Sequence, residues 1–135
     1  MQTYGIDTSI LMRLLTGDPE PDYSQTLTAL ETLLDREPES RIVASNIVIA
    51  EAYAAVQYHY GVTKSQARLA LLDALKSGLV EPLGGKPVLD VIRASTRGAG
   101  LADRLIINDY QASDCVTLTH DKRMGKVGGA QLLLS

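Results

Sequence analysis

Residues 41–61, RIVASNIVIAEAYAAVQYHYG, hold the reading that decides the fold. RIVA is short, apolar and β-branched, the pattern of a strand with little exposed surface. Ser45 or Asn46 can cap a following helix, because either side chain accepts a free amide of the first turn. The next fourteen residues, IVIAEAYAAVQYHY, then run at helical period to Gly61, a residue suited to the left-handed position that ends a helix. Strand, cap, helix and glycine stop in that order form the unit from which parallel sheets covered by helices are built.

The same grammar extends in both directions. Upstream, TYGI (3–6) reads as a strand, SILMRLL (9–15) as a helix, GDPEPD (17–22) as a turn and TLTALETLLD (26–35) as a second helix. Downstream, Thr63 opens the helix KSQARLALLDALKS (64–77), followed by the strand LVEP (79–82) and the turn GGK (84–86). PVLDVIRASTR (87–97) is helical, with Pro87 in its first turn. A helix from Leu101 to about Ser113, the strand CVTLT (115–119), a helical turn over 122–126 and the strand AQLLL (130–134) complete the chain. There is no internal repeat, linker or low-complexity tract, so 135 residues are expected to form a single domain over 1–135.

Composition narrows the function classes. A hydrophobic fraction of 45% and a charged fraction of 21% are those of an ordinary globular chain, and with neither Trp nor Phe the core falls to Leu, Ile, Val and Ala. Cys115, the single cysteine, excludes a disulfide framework; its apolar run predicts a buried thiol, and a reducing cytoplasmic setting fits. No export leader and no membrane span are expected. The net charge of −3 disfavours a nucleic-acid binder that works by bulk charge, but it is unevenly spread. Residues 1–60 carry three basic and nine acidic side chains, whereas residues 61–135 carry ten and seven. Arg93, Arg97, Arg104, Lys122, Arg123 and Lys126 can face a phosphate backbone or line a solvated helix face.

Four acids stand out. Glu51 lies in the middle of an almost wholly apolar helix, with Ile47, Val48, Ala54 and Ala55 three and four positions away, so burial is expected. A buried, unpaired carboxylate costs several kcal/mol. No Lys or Arg lies between Arg41 and Lys64 to offset it. A metal ion, an ion pair with a distant residue such as Arg104, or a partly exposed helix edge are the alternatives. Asp7 and Asp121 each follow the end of a strand and precede a helix. Either can be a simple N-cap, yet both would sit beyond the carboxyl ends of parallel strands, where open α/β folds assemble ligand sites. Asp103 stands in a first turn, which favours an acid, and Ile106, Ile107 and Tyr110 predict that it points towards the core edge. Four acids at one sheet edge would repel one another unless a hard cation neutralised them. With no His or Cys at ligand spacing, Mg2+ or Mn2+ is indicated; His120 alone makes a weak transition-metal site.

YGIDTSILMRLL, SNIVIAEAYAAVQYHYG, LADRLIINDY and TLTHDKRM, in that order, resemble the PIN-domain ribonucleases, in particular the VapC toxins of toxin-antitoxin modules. The resemblance covers nearly the whole chain and is carried by an Asp-Thr-Ser after the first strand and a Thr-x-Asp after a later one. It implies a three-layer α/β/α sandwich with a mostly parallel sheet of about five strands. It further implies Mg2+-dependent (or Mn2+-dependent) RNA hydrolysis, homodimers and a cognate antitoxin. Catalytic and metal-binding roles fall on Asp7, Glu51, Asp103 and Asp121. Thr8 and Thr119 fall as supporting polar groups at the substrate, and Arg104, Lys122 and Arg123 as residues that can hold phosphate, although Arg104 can instead pair with Glu51. Other readings are weaker. A haloacid-dehalogenase fold expects an Asp where Ser9 stands, a receiver expects paired acids at the first strand, and GKVGG (125–129) lacks the order of a P-loop. A PIN-fold interaction module without catalysis is the remaining alternative.

Overall fold

A computed structural model describes residues 2–134. Its contacts divide the chain into two compact units that meet in sequence at Leu83 and Gly84.

The first unit contains β1 (Thr3–Ile6), α1 (Thr8–Thr16), α2 (Asp22–Arg36), β2 (Arg41–Ala44), α3 (Asn46–Tyr60), α4 (Lys64–Leu75) and β3 (Glu81–Pro82). The strands form a parallel sheet in the order β1-β2-β3. β2 is central, and Ile42, Val43 and Ala44 are all buried, as a strand covered on both faces requires. β3 is short: the ladder ends at Pro82, which has no amide to donate, and Leu83 closes it with a 2.9 Å bond to the Ala44 carbonyl. Local chemistry sets the helix ends. The Ser45 side chain accepts from the Val48 amide at 3.3 Å, and Gly61 ends α3 at φ 65°, ψ 20°. Thr63 and Gln66 form a reciprocal capping box at the start of α4. α1 packs on α2, α3 and α4. Leu11, Ile49, Ala52, Ala67 and Leu71 have no accessible surface.

The second unit contains α5 (Lys86–Ala94), α6 (Leu101–Ala112), β4 (Thr117–Thr119), a short 3-10 turn (Met124–Lys126) and β5 (Ala130–Leu132). β4 and β5 pair in parallel, α5 packs on α6, and Val88, Ile92, Leu101, Leu105 and Ile107 are buried. Strand number and parallel sense thus match expectation, with hydrogen bonds grouping the strands as three and two.

Two expectations are corrected. Cys115 is exposed, because its strand begins only at Thr117 and, of the run CVTLT, only Thr117 is buried. On α6, Ile106 and Tyr110 are 44% and 49% exposed; the buried stripe is Leu101, Leu105 and Ile107, and Asp103 is half-buried. Among the described residues, no helix is long and apolar enough to cross a membrane.

Candidate active site

In the first unit the sheet register brings two helix starts together. Ile6 pairs with Ala44, so the carboxyl ends of β1 and β2 are level. Asp7 and Ser45, the next residues in each strand's path, cap α1 and α3 at that edge. Asp7 Oδ1 accepts from the Ser9 hydroxyl at 2.6 Å and from the Ile10 amide at 3.2 Å. These bonds, that of Ser9 foremost, hold the Asp7 carboxyl below the usual carboxylate range, because they stabilise its charged form. Asp7 is therefore an N-cap, as its position allows, and an ionised carboxylate at a sheet edge as well.

Thr8 makes the link across the unit. Its hydroxyl donates to Glu51 Oε1 at 2.8 Å, which fixes a side chain from the second turn of α3 beside the first turn of α1. Thr8 follows Asp7 directly, so the two acids share one edge of the sheet. Glu51 is exposed, contrary to expectation. The face it shares with Ile47 (69% exposed), Ala54 and Tyr58 (84% exposed) is the solvent side of α3, while Asn46, Ile49, Ala52 and Val56 form the buried side. Apolar neighbours marked a helix rich in Ala and Ile, not a buried stripe. Ser9, read in sequence only as part of the Asp-Thr-Ser motif, was given no site role, although a hydroxyl two positions after a capping Asp is the signature of a local side-chain turn.

In the second unit, Asp121 lies two residues past β4, and its Oδ1 accepts from the Met124 amide at 2.9 Å, capping the 3-10 turn. The Thr119 hydroxyl accepts from the Asp121 amide at 3.0 Å and shapes that turn. His120, Lys122, Arg123 and Lys126 are exposed around it. Asp103 occupies the first turn of α6. Its neighbour Arg104 is engaged locally: Nε donates to the Ala99 carbonyl at 2.9 Å and Nη2 to the Arg97 carbonyl at 2.8 Å. The structure thus brings Asp7 and Glu51 together in one unit and carries Asp103 and Asp121 in the other. Among the described residues no group of three or more His, Cys, Asp or Glu side chains is placed as a metal cluster.

The donors at the edge of the first unit, Asp7, Thr8, Ser9 and Glu51, are all oxygens, which suits a hard divalent cation and not a softer one. The Ser9 and Ile10 bonds fall on Asp7 Oδ1 and the Thr8 bond on Glu51 Oε1.

The sequence profile of the PIN domain matches residues 4–130, and the chain belongs to that family. PIN domains are in general nucleases that use divalent metals, and their fold is an α/β/α sandwich. Among solved structures, the chain is similar to one in VapBC2 from Rickettsia felis bound to a DNA fragment from their promoter. Identity is 19%, with 98% of this chain and 97% of that one covered and a TM-score of 0.43. None of the curated proteins matches the chain.

Proposed function

We propose that this chain is a Mg2+-dependent (or Mn2+-dependent) endoribonuclease of one domain, with Asp7, Glu51, Asp103 and Asp121 as its metal-binding acids. The observation that carries the reading is the pairing of Asp7 and Glu51 at the carboxyl edge of a parallel sheet, each held through one oxygen by a hydroxyl. A divalent ion bound there would supply Lewis-acid stabilisation of the charge that develops on the scissile phosphate. The chain's own groups do the rest. Ser9 lowers the Asp7 pKa, Thr8 orients Glu51, and a carboxylate not engaged by the ion can accept the proton of an attacking water. Lys122 and Arg123, exposed next to Asp121 in sequence, would meet phosphates on this reading, and Thr119 supports that turn.

The order and content of the four motifs support a narrower reading within the family, that of a VapC-type toxin. On that reading the enzyme acts on cytoplasmic RNA, forms a homodimer and is held inactive by a cognate antitoxin.

The test is cleavage of total RNA with mapped ends, by parent and Asp7→Asn chains, with Mg2+ and with a chelator. Asn keeps the Oδ1 acceptor that caps α1, so the variant should fold as the parent does and cut nothing. A parent that cuts without divalent metal, or an Asp7→Asn chain that cuts at the parent's rate, sinks the assignment.

A further inference from the structure

Arg104 makes two side-chain hydrogen bonds, and neither serves its own helix. Both run back to the segment that joins α5 to α6, at the carbonyls of Arg97 and Ala99. That segment turns at glycines. Gly98 sits at φ 70°, in the left-handed region, and Gly100, the N-cap of α6, has no side chain with which to accept a first-turn amide. The Arg104 amide closes the first turn on the Gly100 carbonyl at 3.1 Å, while Ala99 and Leu101 are buried on the core side. One residue thus binds the helix entry through its backbone amide and through two arms of its guanidinium. That residue stands immediately after Asp103.

We propose that Arg104 is a positioning residue: it clamps residues 97–100 to the first turn of α6 and so fixes where Asp103 presents its carboxylate. This inference rests on the reading of Asp103 as a metal-binding acid. It assigns Arg104 a task other than holding substrate phosphate, one that uses the two donors of its fork directed at main-chain carbonyls. The task needs arginine. A planar guanidinium reaches the two carbonyls from two separate nitrogens in fixed geometry, whereas the donors of a lysine share one nitrogen on a flexible stem.

The test compares the full parent chain with Arg104→Lys, Arg104→Met and Asp103→Asn. Three quantities are read: amide hydrogen exchange, Mn2+ affinity by electron paramagnetic resonance, and the KM for RNA at saturating Mg2+. In both Arg104 variants, amides of residues 97–103 should exchange faster while those of β4 and β5 stay protected. Mn2+ should bind about tenfold more weakly, the lower end of what loss of a supporting contact costs a metal site. The KM for RNA should not move. Restoration of both exchange and Mn2+ affinity by Lys would overturn the clamp, since charge alone would then suffice. Faster exchange with parental Mn2+ affinity would overturn the link to Asp103. Parental exchange with a raised KM would make Arg104 a phosphate ligand. An Asp103→Asn chain that binds Mn2+ as tightly as the parent would sink the metal reading itself, an outcome separable from the others because exchange reports on the clamp without any metal.

Discussion

Ile47 and Ile49 stand two residues apart on α3 and differ in surroundings: Ile49 has 0% of its surface accessible and Ile47 has 69%. Truncation to alanine removes the same three carbons from each. For Ile49, transfer at about 0.8 kcal/mol per carbon gives roughly 2.4 kcal/mol. The void left beneath α3 adds to this because close-packed neighbours collapse only in part, so the expected loss is about 3–4 kcal/mol. Against a total stability of about 5–15 kcal/mol this is severe, a fall in Tm of order 10 °C. For Ile47 the transfer contribution nearly vanishes and alanine is the better helix former, so the change should stay within about 0.5 kcal/mol. Urea unfolding at neutral pH reads both, with ΔΔG taken from the shift in midpoint at constant m. An Ile49→Ala loss below about 1 kcal/mol would refute the packing argument. An Ile47→Ala loss above about 2 kcal/mol would refute the assignment of that face to solvent.

Three further outcomes follow from the same geometry. Ser9→Ala removes the principal cause of the low Asp7 pKa, so the carboxyl should protonate at higher pH. The acid limb of metal-dependent cleavage should then move to higher pH, and a limb that stays in place would sink the Ser9 role. A depressed carboxyl adds stability above its unfolded pKa of about 3.9 and loses it as pH falls through the folded value, so the parent should lose its stability advantage over the variant only in strongly acid solution. The Tyr4 hydroxyl donates to Glu37 at 2.8 and 3.0 Å, and that bond raises the tyrosine pKa. Its stabilisation is therefore complete below the unfolded value near 10 and fades as pH rises through the folded one. Tyr4→Phe should be less stable than the parent at neutral pH and converge with it in alkali, and thermal melts at both pH values check this. Chelation of divalent metal should abolish cleavage while far-UV circular dichroism keeps its helical signal, and added Mg2+ or Mn2+ should restore activity.

Much of the fold was legible because its signals are local. Ser45, Thr63, Pro87 and Gly61 act within one turn of themselves, and α3, α4 and α5 begin or end where those residues place them. α2 begins at Asp22, not at Thr26, because Glu20 accepts from the Ser24 amide at 2.9 Å and steadies a start that composition reads as turn. Burial was less legible. Cys115, Ile106 and Glu51 each have apolar neighbours in sequence, but exposure depends on which face the rest of the chain covers, and periodicity does not report that when a helix is apolar all round. The capping positions of Asp7 and Asp121 were legible from the strand–Asp–helix pattern. The bonds of Arg104 depend on the path of residues 97–100 and carry no signature at fixed spacing.

Exposure of Glu51 removes the reason for which it was first singled out. A carboxylate that keeps its water needs no counter-charge, so burial no longer argues for a cation. The Thr8 bond takes over that argument on different grounds. Ordering a glutamate side chain costs up to about 1.5–2 kcal/mol of rotamer freedom, and a typical hydrogen bond contributes about 0.5–1.5 kcal/mol net, less where water competes for both partners. The two effects nearly cancel, so stability does not explain why a hydroxyl on α1 holds an exposed acid on α3 at 2.8 Å. On the proposed function, orientation of the acid for a ligand does. Thr8→Val keeps the branched shape and removes the donor; it should leave unfolding free energy within about 0.5 kcal/mol of the parent and reduce cleavage at limiting Mg2+ more than at saturating Mg2+. A Thr8→Val chain that loses more than about 1.5 kcal/mol of stability while cutting RNA with the parent's Mg2+ dependence would return this bond to a purely structural role.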